Sequence, residues 1–135
     1  MTATLNVSEF KSGLLSCDIV GVASTANAGQ GSIANPFGES VNILRGYIVP
    51  SVESTGSANL SIGITTAAAA ATDILNADDM NGVTVNKPIN CFANDPGAKT
   101  VMVPAIWTSA LFLTFTASAT LVGFVGTLYL EILRD

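Results

Sequence analysis

No histidine occurs in these 135 residues. That removes the usual general base near neutral pH and the commonest metal ligand. Ser-His-Asp and Cys-His arrangements are therefore impossible within one chain. Charge is scarce too: charged residues make up 11% of the chain, against roughly 25% in an ordinary globular domain. The bases Lys11, Arg45, Lys87, Lys99 and Arg134 are scattered. No basic patch exists to release counterions from phosphates, which argues against nucleic acid as a partner. The glycines of NAGQGS, residues 27–32, have no helix pattern after them, so they do not form a phosphate loop. The two cysteines, Cys17 and Cys91, fit neither a metal motif nor a redox CxxC spacing. Both lie in apolar or strand-like contexts, so free buried thiols are expected. A disulfide is the open alternative, and would contribute about 4 kcal/mol by closing a long loop. The first thirteen residues, MTATLNVSEFKSG, have no basic or apolar signal-peptide region. Folding in a reducing cytoplasm, with thiols retained, is the corresponding expectation.

What is present is apolar. Hydrophobic residues are 49% of the chain, the formal net charge is −5, and the mean hydropathy is +0.53. A chain of this length makes one domain and buries about 68% of its unfolded surface. So little charge over so much apolar content leaves two accounts of the surface. Either partners cover part of it, or Ser, Thr and Asn solvate it without charge.

The longest uncharged run, Thr100 to Leu130, is long enough to cross a bilayer, which takes about 20 apolar residues as a helix. Its pattern is that of strands. Leu111, Leu113, Phe115 and Ala117 fall on one face, and Phe112, Thr114 and Thr116 on the other. Further on, Val122, Phe124, Gly126, Leu128, Leu130 and Ile132 share a face, opposite Leu121, Gly123, Val125, Thr127, Tyr129, Glu131 and Leu133. That is the period-two alternation of β-structure. The break Ala-Ser-Ala-Thr between the blocks predicts a terminal β-hairpin and no membrane span.

Upstream, residues 14–23 (LLSCDIVGVA) read as a strand. Residues 24–40, rich in Gly, Ala, Asn and Ser, read as a long loop of the kind that carries function. Residues 41–49 (VNILRGYIV) form a strand with Val41, Ile43, Tyr47 and Val49 on one face, ended by Pro50. Leu60, Ile62 and Ile64 mark a half-buried strand. Five alanines, Ala67 to Ala71, predict a short helical turn or a loop, with Ile74 and Leu75 plugging the core. Asn81-Gly82 marks a turn before a short strand, and Asn94-Asp95-Pro96-Gly97 a second turn. Seven or eight short strands without a long amphipathic helix indicate an all-β fold. The expectation is an antiparallel β-sandwich, jelly-roll-like, with a short helical turn. Residues 1–13 are an N-terminal arm or edge strand, and residues 14–135 a single sandwich domain.

The carboxylate cluster of Asp73, Asp78 and Asp79 invites a calcium reading. An EF-hand register on Gly82 fails, because it puts Ala77 and Pro88 at the first and twelfth positions. Helix capping and a solvated turn are the simpler account. No metal, cofactor or catalytic set is assigned, and the chain is not expected to be an enzyme. The candidate interface aromatics are Phe10, Phe37, Trp107, Phe112 and Tyr129, of a class enriched at interfaces. Trp107 has a competing role in the core.

Several of these residues carry a family resemblance. Ile62-Gly63-Ile64, the Ala/Thr/Asp-rich connection after them, and Leu113 to Thr116 with Ser118, Ala119, Gly123, Val125, Gly126, Tyr129, Leu130 and Glu131 form one pattern. It resembles the head decoration, or cement, proteins of tailed bacteriophages. The resemblance covers roughly Leu60 to Leu133. It implies a jelly-roll-like sandwich, a homotrimer, and attachment to the major capsid protein on the outside of the virion. The alternative from another class is a receptor- or glycan-binding head domain of a phage fibre.

Overall fold

The computed structural model describes residues 12–91 and 105–134. These form nine strands: β1 (Ser12–Val20), β2 (Gly31–Ala34), β3 (Val41–Val52), β4 (Asn59–Thr65), β5 (Leu75–Asp79), β6 (Ile89–Asn90), β7 (Ala105–Trp107), β8 (Phe112–Ala117) and β9 (Val125–Arg134). One antiparallel sheet, sheet A, has the order β1-β9-β3-β6, with β7 also paired to β3. Sheet B has the order β2-β8-β4-β5. The pairings nest: β4 with β5, β3 with β6 and β7, β2 with β8, and β1 with β9. The first half of the chain thus pairs with the second half in reverse order.

The two inner faces make the core. Trp107, Phe124, Leu60, Ile62, Leu113, Leu128, Ile43 and Ile48 are fully buried there. Each such aliphatic or aromatic side chain contributes about 1.5–3 kcal/mol by leaving water. Ile74 and Leu75 plug the core as expected, both buried completely. The alternation of β8 holds, with Leu113, Phe115 and Ala117 pointing inward. So does that of β9, with Gly126, Leu128, Leu130 and Ile132 inward. Leu121 is buried and Val122 exposed, the reverse of the expected parity, because residues 121–124 turn before β9 begins.

Other expectations are corrected. The terminal hairpin does not form: β8 lies in sheet B and β9 in sheet A. Their connection crosses the sandwich and turns at Gly123, whose φ of 93° favours glycine. Residues 24–40 are not all loop, since they contain β2. Gln30 organises this stretch, its side-chain amide donating to the Val22 and Ser24 carbonyls while its oxygen accepts from the Val22 amide. Asn35 does the same further on, donating to the Glu39 and Trp107 carbonyls and accepting from the Phe37 amide. The acidic segment Leu75–Asp79 is an edge strand rather than a capping turn. Asn81-Gly82 bends with Gly82 at φ 79°, and the strand after it is reduced to β6. The alanine run makes no helix. Its one turn is closed by the Ala69 amide bonding the Thr66 carbonyl at 3.1 Å. Alanine's helix propensity is worth little over so few residues, because nucleation is costly.

Two irregularities in β3 matter most. Pro50 does not end the strand, which continues to Val52 with a register shift between Pro50 and Val52. A bulge is one of the few places a sheet tolerates proline. A second shift lies between Ile43 and Arg45, leaving Leu44 without a direct opposite on β9. One extra residue inverts the facing of everything after it. Val41 and Ile43 point inward as expected. Tyr47 and Val49 do not: Gly46, Ile48 and Pro50 take the inner positions instead.

The expected arm at residues 1–13 joins the fold at Ser12 and Gly13, which open β1; the rest of it lies outside the described residues. The turn at residues 94–97 also lies outside them. The described residues hold no helix long and apolar enough to cross a membrane.

Candidate functional site

The outer face of sheet A is built from cross-strand rows. At one end Val125 sits between Val20 and Val52. Next, Thr127 sits between Asp18 and Val49, and Tyr129 between Ser16 and Tyr47. Glu131 follows between Leu14 and Arg45, and Leu133 pairs with Asn42, whose other neighbour is Ile106. Opposed side chains on one face of a sheet lie close enough to form a continuous surface. This one is largely apolar and open: Leu14 and Val20 are each 66% exposed and Ile106 62%. Val52, Val125 and Leu133 are exposed with them. Six of the nine exposed large hydrophobics of the described residues therefore share one face.

Charge on this face is sparse, and each charged group described has a partner on the face itself. Arg45 Nε lies 3.6 Å from Glu131 Oε2, with both side chains well exposed. Such a pair adds about 0–1 kcal/mol. Asp18 Oδ1 accepts a hydrogen bond from Thr127 Oγ1 at 3.1 Å.

The outer face of sheet B is the opposite case. Its residues include Ser32, Asn59, Ser61, Thr65, Thr114 and Thr116. The chain's own connections lie over it. Ala71 packs so closely on Gly63 that a Cβ there would come within 2.3 Å of the Ala71 backbone. Thr114 beside Gly63 is buried, and its hydroxyl reaches the Gly63 carbonyl at 3.4 Å. The Ala28 amide donates to Thr116 Oγ1 at 2.9 Å.

The candidate aromatics do not converge. Tyr129 stands half-buried at the centre of the sheet A face, directly opposite Tyr47. Phe112 is half-buried on β8 of sheet B, between Ala34 and Thr65. Trp107 is a core residue, fully buried, its indole N–H donating to the Leu111 carbonyl at 3.0 Å. Phe37 meets Trp107 edge-on, with ring centroids 6.2 Å apart, and carries the Arg134 guanidinium 5.5 Å above its own ring. Arg134 also pairs with Glu39 at 3.4 Å. Phe10 lies outside the described residues. Leu14, Val20, Val52, Ile106, Val125 and Leu133 were not singled out from sequence. For Leu14, Val20, Val125 and Leu133 the signal was present, because β1 and β9 carry apolar residues on both faces.

The acidic cluster is dispersed by the fold. Asp73 accepts the Ile64 amide at 2.9 Å. Asp79 accepts the Ser57 hydroxyl at 2.6 Å and the Ala58 and Asn81 amides at 3.1 and 3.0 Å. The Ser57 hydrogen bond, followed by the Asn81 amide, holds the Asp79 carboxyl below its ordinary value. Asp79 thereby ties β5 back to the start of β4. Among the described residues, no three acidic or sulfur side chains come together as a metal set. Cys17 and Cys91 form no disulfide with each other. Burial, with the Asp18 charge second, pushes the Cys17 thiol up.

No family model matches the chain, and no curated protein or solved structure matches it either.

Proposed function

We propose that this chain is a non-catalytic structural protein, a decoration or cement protein that binds the outside of a phage head. The observation carrying the reading is the open, largely apolar face of sheet A, sparsely charged and centred on Tyr129 and Tyr47. Exposed apolar patches of this kind mark interaction surfaces. Tyrosine supplies large contact area at low conformational cost, which suits an interface centre. The strand order favours the jelly-roll form of the sandwich, since a jelly roll arises when a long hairpin of nested pairs rolls into two sheets. The resemblance at Ile62–Ile64 and Leu113–Glu131 names the partner: the major capsid protein, on the surface of a virion assembled in the host cytoplasm. A homotrimer repeats the face three times, so modest affinity per subunit becomes strong attachment.

The test is co-sedimentation with undecorated phage capsids, beside native mass measurement. Binding at saturation and a native mass that is a multiple of three chains are the expected results. A protein left entirely in the supernatant sinks the reading, and binding to a glycan or a cell surface instead promotes the fibre-head alternative.

A further inference from the structure

The four sheet edges are not alike. β2 is four residues long and is followed by Pro36. β5 carries Asp78 and Asp79 and meets β4 with a register shift. β6 is two residues long and follows Lys87-Pro88, and β7 is three residues long. Shortness, charge, proline and irregular register are the devices that keep edge strands from pairing with other chains. β1 has almost none of them. It is nine residues long, contains no proline or lysine, and pairs with β9 in unbroken register from Ser12 to Val20. Its single charge, Asp18, is held by Thr127.

Among the described residues the sandwich is also open along this edge. A cavity of about 180 Å³ lies where β1 faces β2, lined by Cys17, Ile19, Ile33 and Phe115 among others. Leu15 and Cys17 point inward yet are only half-buried, because no strand lies beyond β1 among the described residues.

We infer that β1 is a pairing edge for a second copy of this chain, joined antiparallel about a two-fold axis at Cys17. The sequence of β1 is self-complementary in that register. Leu14 falls opposite Val20 of the second copy on the outer face, and Leu15 opposite Ile19 on the inner face. Asp18 falls opposite Ser16 rather than opposite its own counterpart. Every apolar side chain meets an apolar one, and the two like charges are kept apart, as cross-strand pairing favours. Such a two-fold contact is isologous and closes on itself. It merges two copies of sheet A into one sheet and extends the open face across both. This edge contact is separate from docking through the face, so it stands whether or not the capsid reading does. Two trimers, or two lone chains, can use it.

Cys17 on the axis makes the register testable. Directly opposite residues of an antiparallel pair have Cα atoms about 4.5–5.5 Å apart, within the roughly 4.4–6.8 Å span of a disulfide. Brief oxidation of the full-length protein with copper phenanthroline should give a covalent dimer, lost in Cys17→Ser. Buried Cys91 cannot supply that bond. A charge-exchange pair then tests the register. Leu14→Lys with Val20→Lys sets like charges opposite each other and should cut cross-linking about tenfold, and Leu14→Lys with Val20→Glu should restore it. Both positions are exposed, so far-UV circular dichroism should be unchanged. Capsid co-sedimentation of the Cys17→Ser protein reports separately on face docking. Absence of the dimer in the wild type overturns the inference, as does a dimer that persists in Cys17→Ser. Equal cross-linking in the two charge variants overturns the register.

Discussion

The two outer faces of this sandwich are built on similar strands and end in different states. Sheet B presents mostly serines and threonines, with Asn59 and a half-buried Phe112 among them, and then covers part of this face with the alanine-rich connection at Ala71 and the loop at Ala28. Sheet A presents valines, leucines, an isoleucine and two tyrosines, with no connection of the described residues laid over them. A folding chain has most to gain by covering apolar surface and little by covering hydroxyls. The cover nevertheless went to the polar side. That contrast is what supports the proposed reading of sheet A as a docking face.

The comparison can be broken in graded steps. The largest effect lies between the sheets: Trp107→Ala should cost about 3–5 kcal/mol in urea unfolding, since it empties the core behind Phe37 and orphans the Leu111 carbonyl. A loss under about 1 kcal/mol would place Trp107 outside the cooperative core. Next, Gly63→Ala should destabilise by about 1–3 kcal/mol, as overpacking does, by lifting Ala71 from sheet B. Faster amide exchange across β8 would locate that change, and unchanged exchange would mean the connection is not a cover.

Smaller in stability but decisive for function, Tyr129→Ser should cost about 1 kcal/mol or less while weakening capsid co-sedimentation. Phe112→Ser, on the covered sheet, should leave co-sedimentation intact. Equal behaviour of the two variants would erase the distinction between the faces. The smallest effect concerns the β4–β5 edge. Asp79 has a folded-state value below its ordinary one of about 3.9. Its contribution is present above that ordinary value and is lost as pH falls through the folded one. Asp79→Asn should therefore flatten the fall in melting temperature between about pH 6 and pH 2. A parallel acid limb in both proteins would show that the Ser57 and Asn81 bonds do not stabilise the fold.

Much of the fold was legible because strand alternation is a local signal. Leu60, Ile62, Leu113, Phe115, Leu128 and Leu130 announce their inner face by spacing alone. The short edges β2 and β5 were not legible. GSIA and LNADD have little strand character of their own, and they are held by pairing with β8 and β4. The candidate site was half legible. Tyr129 was found from its place on the mixed face of β9, whereas its neighbour Tyr47 was grouped on one strand face with Val41 and Ile43, which turn inward.

The sequence by itself determined that this is an all-β chain, which residues of β8 and β9 fill the core, and that no histidine chemistry is available. Only the tertiary structure decided that β8 and β9 belong to different sheets, because hydrogen-bond partners are chosen across the whole chain rather than across the nearest turn. It also decided, through one extra residue at Leu44, that Tyr47 turns outward to meet Tyr129. A bulge has no signature in alternation until a partner strand sets the register, so the centre of the open face came into being only when β3 paired with β9.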